Sequence, residues 1–484
     1  MSNALEAQLK DAERRLASEP DSIDALFLKA QILARLGRDE EAKSAFVAVL
    51  VKDPAHVGAL MDLGGLALAT GYRSAAVTAY RQAVECHPGN PLALVNLANI
   101  LLEDGALHEA RLLYEKALAI DANLIYAHQG LANVLDLQGY KESAARHREE
   151  GFAGHSIVAR PYRGTGQPLR VLLIVSAIGG NIPTHIILDD RIFAVTAVYA
   201  EYYDPSQPLP EHEIVVNAVG DADLCEKVLQ DDVARILAET GAPDINGPER
   251  VRNTGRVGNS IWLSRLEDVV VPKVSAIPRR CFEADEALEL LDRDEQRFPL
   301  LLRSPGYHTG QHFIRVDESK KLKASAAELP GDVLFAIENF DTRGADGMVR
   351  KYRVMFIDGK LYPLHLAVSR DWKVHYVTSA MADSADFRRE EETFLLDIEK
   401  SLGSRAIRGL EQLRHALRLD YGGADFTLLP DGRVLLFEAN ATMAIVPPPP
   451  DSVWDYRRAP IAAAIDAARA MLLKRAGRND NNKA

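Results

Sequence analysis

The sequence predicts a multidomain chain, an all-α solenoid of helical repeats followed by an α/β (α+β) region in which a small α/β domain precedes a larger one. Three observations carry this reading. Residues 21–156 repeat with a period of 34, and apolar strand-like runs separated by loops begin at Arg170. Residues 420–443, DYGGADFTLLPDGRVLLFEANATM, read as a β-hairpin that carries acidic residues on its strands.

Composition bounds the answer. The 484 residues suffice for about three domains, and 47% hydrophobic residues can build sizeable cores. A net charge of −12 and a pI near 5.6 disfavour nucleic acid or an anionic membrane as the main partner. Cys86, Cys225 and Cys281 lack metal or redox spacing, which suits a reducing compartment. The opening MSNALEAQLKDAERR lacks the apolar stretch of a signal peptide, and no run of about 18 apolar residues occurs. A cytoplasmic protein without membrane contact is expected.

In the repeat region, 1–156, Gly37, Gly71, Gly105 and Gly139 recur at one offset and Ala42, Ala76, Ala110 and Ala144 at another. Phe46, Tyr80 and Tyr114 share a third, and Ala30, Gly64, Ala98 and Ala132 place a small residue in each first helix. With the closing Pro54 and Pro88, this pattern resembles the tetratricopeptide repeat (TPR) family. Each unit is a helix pair too small to bury its own apolar face, and stacking gives one continuous core. The fourth block decays to HREEG, and residues 1–20 read either as a solvating cap or as the last helix of a partial unit. The array either holds a peptide or protein on its concave face or braces or dimerises the rest of the chain.

Residues 157–168 form a linker. The small α/β domain, 169–268, opens with RVLLIVSAIGG, continues with strand-like runs from Ile192 and Glu213, and has an amphipathic helix over 225–241. Gly179-Gly180 lacks a complete dinucleotide fingerprint and reads as a loop. The polar stretch 244–256 is a loop that either contacts substrate or simply connects elements.

The larger domain, 269–475, begins with VVVPKVSAIPR and a helix over 283–292. The strand FPLLLR then ends at Arg303, before a loop with Gly306 and Gly310 and a strand from His312. VLFAIENFDTRG, 333–344, is a strand running into a turn, and 350–377 is a hairpin around Asp358-Gly359 bearing Lys351, Arg353, His365, Arg370, Lys373 and His375. Helices over 386–418 lead to the acidic hairpin. Pro447 to Pro450 form an extended strap, a helix carries Ile461, Ile465, Ala468 and Leu472, and 476–484 is a disordered tail.

In the acidic hairpin a two-residue Asp431-Gly432 loop sets Asp425 opposite Glu438, with Asn440 on the same face. Facing carboxylates repel, so this arrangement wants a cation; two carboxylates and an amide oxygen suit magnesium. A three-residue loop opening at Pro430 shifts the register by one and separates the two carboxylates, and a solvated edge hairpin is the bland reading.

Taken in order, FPLLLRSPGYHTG, LFAIENFD, KYRVMFIDGKLYP and ADFTLLPDGRVLLFEAN, behind a small α/β domain, resemble the ATP-grasp superfamily of carboxylate-amine and carboxylate-thiol ligases. The resemblance covers residues 168–475 and implies magnesium ligands Asp425, Glu438 and Asn440. It implies adenine contacts at Ala336, Ile337, Glu338 and Asn339, a ribose contact at Asp341, and Arg303 and Arg353 on transferred phosphate. Arg303 stands where the family usually has lysine; it keeps the charge and can grip phosphate bidentately. His365, Arg370, Lys373 and His375 are the substrate-side expectations. The implied reaction uses ATP and magnesium to convert a carboxylate to an acyl phosphate, which an amine, or less readily a thiol, displaces to give an amide and ADP. The expected partners are a peptide or protein on the repeats and a small-molecule acid or amine, with homo-oligomerisation left open. The alternatives are a nucleotide-binding scaffold without ligase activity, motivated by Arg303, and a kinase that stops after phosphoryl transfer.

Overall fold

A computed structural model describes residues 2–307, 310–374, 379, 381–448 and 452–478. The expected substrate residue His375, the end of the strap at Pro449 and Pro450, and tail residues 479–484 lie outside the described residues. The chain divides into two units, one built on residues 1–168 together with 190–194, the other on the remainder of 169–478.

In the first unit the 34-residue period becomes helix pairs. Helices α2 (Ile23–Arg35), α4 (Val57–Ala69), α6 (Pro91–Glu103) and α8 (Ile125–Leu137) alternate with α3 (Asp39–Lys52), α5 (Arg73–Cys86), α7 (Leu107–Ile120) and α9 (Lys141–Phe152). The recurring glycines end each first helix with φ between 75° and 85°, a left-handed conformation costly for other residues. Ala42, Ala76, Ala110 and Ala144 are fully buried, and so is Tyr114, whose hydroxyl donates to Asn99 Oδ1 at 2.5 Å. The helix α1 (Ser2–Ser18) buries Leu5, Leu9 and Ala12 in one cluster with residues of α2 and α3 and leaves its other face exposed, which suits a solvating cap and the last helix of a partial unit alike. Where the fourth block lacks its aromatic residue, Arg148 pairs with Asp136.

After a short strand β1 (Ile157–Ala159), the second unit opens with β2 (Leu169–Val175), β3 (Phe193–Tyr199), β4 (Ile214–Asn217) and β5 (Asp244–Ile245), ordered β3-β2-β4-β5. The β2-β4 and β4-β5 pairs are parallel. The helix expected over 225–241 is displaced and broken: Ala222–Lys227 runs into a π-helical stretch, Val228–Val233, and then Ala234–Ala238.

VVVPKVSAIP forms two strands. Pro272 cannot donate to a ladder, and the segment divides there into β6 (Val269–Val270) and β7 (Val274–Pro278), which join different sheets. One sheet is antiparallel, ordered β7-β10-β8-β9, with β8 (Leu300–Arg303), β9 (Phe313–Val316) and β10 (Val333–Glu338). The other is ordered β12-β11-β13-β14-β6, with β11 (Val349–Ile357), β12 (Lys360–Ser369), β13 (Tyr421–Leu428) and β14 (Val434–Asn440) antiparallel and β6 parallel to β14. The segment expected as a helix over 283–292 forms two short helices, Arg279–Glu283 and Ala287–Arg293. Helices Ala385–Leu396, Ile398–Leu402, Ser404–Leu417 and Arg458–Arg475 accompany the second sheet. Among the described residues no helix is long and apolar enough to cross a membrane.

Candidate functional site

The acidic hairpin satisfies both registers that its sequence allows. Leu429 N donates to Arg433 O and Gly432 N to Leu429 O, both at 2.9 Å, closing a three-residue loop with Gly432 at φ 82°. Phe426 therefore faces Leu436. A bulge at the exposed Phe437 then restores the other register, so that Asp425 faces Glu438 and Gly423 faces Asn440.

Across the sheet, His365 faces Arg353, Arg353 faces Asp425, and Asp425 faces Glu438, a single row over β12, β11, β13 and β14. Facing carboxylates call for counter-charge, and here the chain supplies it. Arg353 grips Asp425 bidentately at 2.6 and 2.8 Å, and Lys351 Nζ reaches Asp425 Oδ2 at 3.1 Å. Burial pushes the Asp425 carboxyl upward, but Arg353 and Lys351 hold it well below the usual carboxylate range. Burial likewise raises Glu438, and Arg256, with an ion pair from its guanidinium, brings it down. His365 is buried beside Arg353, which keeps its imidazole neutral, with a pKa well below the ordinary value.

Arg353, expected on transferred phosphate, has its guanidinium engaged by Asp425, which is 2% exposed. The three expected metal ligands share one end of the hairpin, but Asp425 and Glu438 carry cationic partners and Asn440 Oδ1 accepts from Thr442 N at 3.1 Å. Among the described residues no group of three His, Cys, Asp or Glu side chains converges as a metal centre.

A cleft lies beside this row, lined by Arg303, Tyr307 and Ile337 from the first antiparallel sheet and its loop, and by Leu436, Glu438 and Asn440 from the second. Val271, Pro272 and Val274, the segment that passes from one sheet to the other, add an apolar wall. The enclosed space is about 50 Å³, room for an ion and water rather than a nucleotide.

Of the expected adenine contacts, Ile337 lines the cleft, whereas Ala336 is fully buried in the sheet core. Glu338 Oε2 accepts from Lys273 N at 3.1 Å, and Asn339 follows the strand end half-buried. The expected ribose ligand Asp341 is exposed and paired with Arg343. Arg370 and Lys373 lie exposed beyond β12, Lys373 donating to Phe313 O at 3.2 Å.

Three cleft residues were not singled out from sequence. Asp221 and Asp223 follow β4, and Arg256 follows β5 in the polar stretch 244–256. The available signal was their place after parallel strands, because ligands in open α/β sheets bind beyond the strands' carboxyl ends. Arg256 N donates to Asp223 Oδ1 at 3.1 Å. Burial pushes the Asp223 carboxyl up to about 6 against the pull of Arg256. Gly179 and Gly180 lie in a loop after β2, and the preceding Ser176 N and Ala177 N donate to Asn181 Oδ1 and Glu201 Oε1.

Comparison with known proteins bears on the first unit. Residues 40–91 and 61–125 match one tetratricopeptide repeat family and residues 23–50 another. The chain is 33% identical over 133 residues to a probable UDP-N-acetylglucosamine–peptide N-acetylglucosaminyltransferase SPINDLY of Hordeum vulgare, covering 28% of this chain and 14% of that relative's length. MamA from Desulfovibrio magneticus RS-1 is similar at 23% identity and a TM-score of 0.28, over 31% of this chain and 84% of that one. YrrB, described as a TPR protein with an unusual peptide-binding site, is similar at 18% identity and a TM-score of 0.28, over 31% and 78%. Residues 23–125 are tetratricopeptide repeats.

Proposed function

We propose that the second unit is an ATP-dependent carboxylate-amine ligase of the ATP-grasp type and that the repeat array recruits a peptide or protein substrate for it. The observation that supports this best is the cleft lined from two sheets, with Arg303 and Ile337 from one and Glu438 and Asn440 from the other. The array offers a groove of about 1150 Å³ lined by Gln31, Asp62 and Asn96 among others, a size and polarity that suit an extended peptide.

Glu438 and Asn440 line the cleft, and a carboxylate with an amide oxygen would suit a hard divalent ion there, with the buried Asp425, held by Arg353 and Lys351, backing them. Magnesium bound there would screen the oxygens of a nucleotide substrate. The remaining work falls to the chain's own groups. Arg303 supplies fixed positive charge where phosphoryl charge develops, and Val271, Val274, Ile337 and Leu436 offer an apolar face for a purine. Arg353 and Lys351, by neutralising Asp425, hold β13, the strand against which β14 presents Glu438 and Asn440. Because the enclosed space is small, the loop Pro305–Tyr307 with Arg303 must move for a nucleotide to enter. In the reaction a substrate carboxylate oxygen attacks the γ-phosphorus and ADP leaves. The neutral amine then attacks the acyl carbon, the carbon–oxygen bond to phosphate breaks, and the amine's proton passes to solvent or a base.

The test is ADP release from the full chain with magnesium, supplied with pooled acids and peptides, pooled amines, or both. Release that requires both supports the ligase. Magnesium-dependent ATP binding without turnover in any pool favours the scaffold, to which the arginine at 303 already points. A stable phosphorylated product without an amide favours a kinase.

A further inference from the structure

Two guanidinium groups face one small cleft, and they are served unequally. Arg256 lies between two acidic elements: its side chain pairs with Glu438, and its backbone N–H and Nε approach Asp223 at 3.1 and 3.8 Å. Arg303 has no such partner, for among the described residues no carboxylate lies within ion-pair distance of it. Its Nη2 instead donates to Tyr307 O at 2.6 Å. Burial, then the nearby Arg256 charge, draw the Arg303 guanidinium down to about 10 against the opposing pull of Glu438, Asp221 and Asp223. The cleft's carboxylates Asp223 and Glu438 are taken up by Arg256, so among the described residues Arg303 meets the cavity with a carbonyl partner only and has charge and donors left for an anion.

We propose that Arg256 and Arg303 form an anion clamp that grips a phosphate-bearing ligand between them, and that Arg256 releases Glu438 in doing so. This rests on the nucleotide reading of the same cleft and adds to it a residue from outside both of the sheets that line it. Arg256 serves as a resident counter-ion. While the cleft is without ligand it neutralises Glu438, and when an anion arrives it transfers its hydrogen bonds to that anion and leaves the carboxylate open to a divalent cation. Cation and anion binding are therefore coupled through one side chain, each favouring the other. The alternative is a fixed brace in which Arg256 merely ties Asp223 to Glu438.

The probes are inorganic tripolyphosphate without metal and Mn2+ alone, measured by calorimetry on the full chain. Arg256→Gln is expected to bind tripolyphosphate about tenfold more weakly than wild type, as loss of a charge-assisted contact implies, and Mn2+ more tightly. Glu438→Gln, which frees Arg256, is expected to bind tripolyphosphate more tightly. Should Arg256→Gln fail to fold, Arg256→Lys, which keeps the charge without the planar fork, carries the test with a smaller loss. If wild type binds tripolyphosphate and neither Arg256 variant changes that affinity, the clamp is refuted and the nucleotide reading survives. If wild type binds neither tripolyphosphate nor magnesium-ATP, both readings fall together.

Discussion

Replacing Asp425 by asparagine removes one negative charge from a buried row on which two cations depend. The Asp425 side chain is 3% exposed, and its partners Arg353 and Lys351 are 20% and 17% exposed. Breaking a buried ion pair from one side costs about 3–5 kcal/mol, because the stranded charge stays desolvated. Asparagine retains one acceptor oxygen, which places the loss near the low end of that range. Relief of the repulsion with the facing Glu438 returns up to about 1 kcal/mol. The expected net loss is about 2 kcal/mol or more.

Urea unfolding followed by tryptophan fluorescence isolates this effect, because Trp262, Trp372 and Trp454, the chain's three tryptophans, all belong to the second unit. The pH dependence supplies a second check. A carboxyl held well below its unfolded value of about 3.9 contributes stability that is present above that pH and is lost as the pH falls toward the folded value. The gap between wild type and Asp425→Asn is therefore constant near neutrality and shrinks below about pH 4. An Asp425→Asn variant as stable as wild type, or more so, would refute the reasoning, since repulsion from Glu438 would then outweigh the bonds to Arg353 and Lys351.

Further outcomes follow from the packing. A Cβ on Gly130 would meet the Tyr114 ring at 2.2 Å, so Gly130→Ala costs about 1–3 kcal/mol of overpacking against a helix gain of about 1. Faster amide exchange across α7 and α8 is expected, and unchanged protection would contradict it. Asn246, at φ 58°, accepts from Asp420 N and Tyr421 N at 3.0 and 3.1 Å and donates to Tyr421 O at 2.7 Å. Asn246→Ala should cost about 3 kcal/mol or more by tryptophan-monitored unfolding, and Asn246→Gly should recover only the strain of about 1. His147 Nδ1 lies 2.9 Å from His128 Nδ1, and burial, then His128 and Arg146, lower its pKa despite Glu150 and Glu115. The repeats therefore hold their full stability above about pH 6.5 and lose some as the pH falls below it, because the unfolded imidazole takes the proton first. An NMR midpoint for His147 at or above about 6.5 would overturn this.

The repeat array was legible because each of its rules recurs: a glycine, an alanine and an aromatic at fixed offsets describe one helix pair several times over. Hairpin positions were legible for a local reason, as Asp358-Gly359 and Asp431-Gly432 both sit at turns. Register was harder. Pro430 opens the three-residue loop, yet Asp425 still meets Glu438, because a bulge at Phe437 cancels the shift. A bulge inside an apolar run leaves no mark in hydrophobic alternation. In VVVPKVSAIP, Val271 and Val274 are as apolar as their neighbours, so only the sheet partners show that the chain changes sheets at Pro272. Charge partners were least legible. Arg353 was recognisable as a strand cation, but its bond to Asp425 depends on a register across strands 72 residues apart in sequence. Arg256 stood in a polar loop with nothing local to separate it from other exposed arginines.

The central claim is that the cleft beside Glu438 binds a magnesium nucleotide, and calorimetry of ATP with magnesium on wild type and Glu438→Ala tests it most directly. Metal-dependent binding to wild type, weakened at least about tenfold in the variant, is the predicted result. Absence of binding to wild type, or equal affinity in the two proteins, would contradict it and leave the paired carboxylates as structural charge in the sheet.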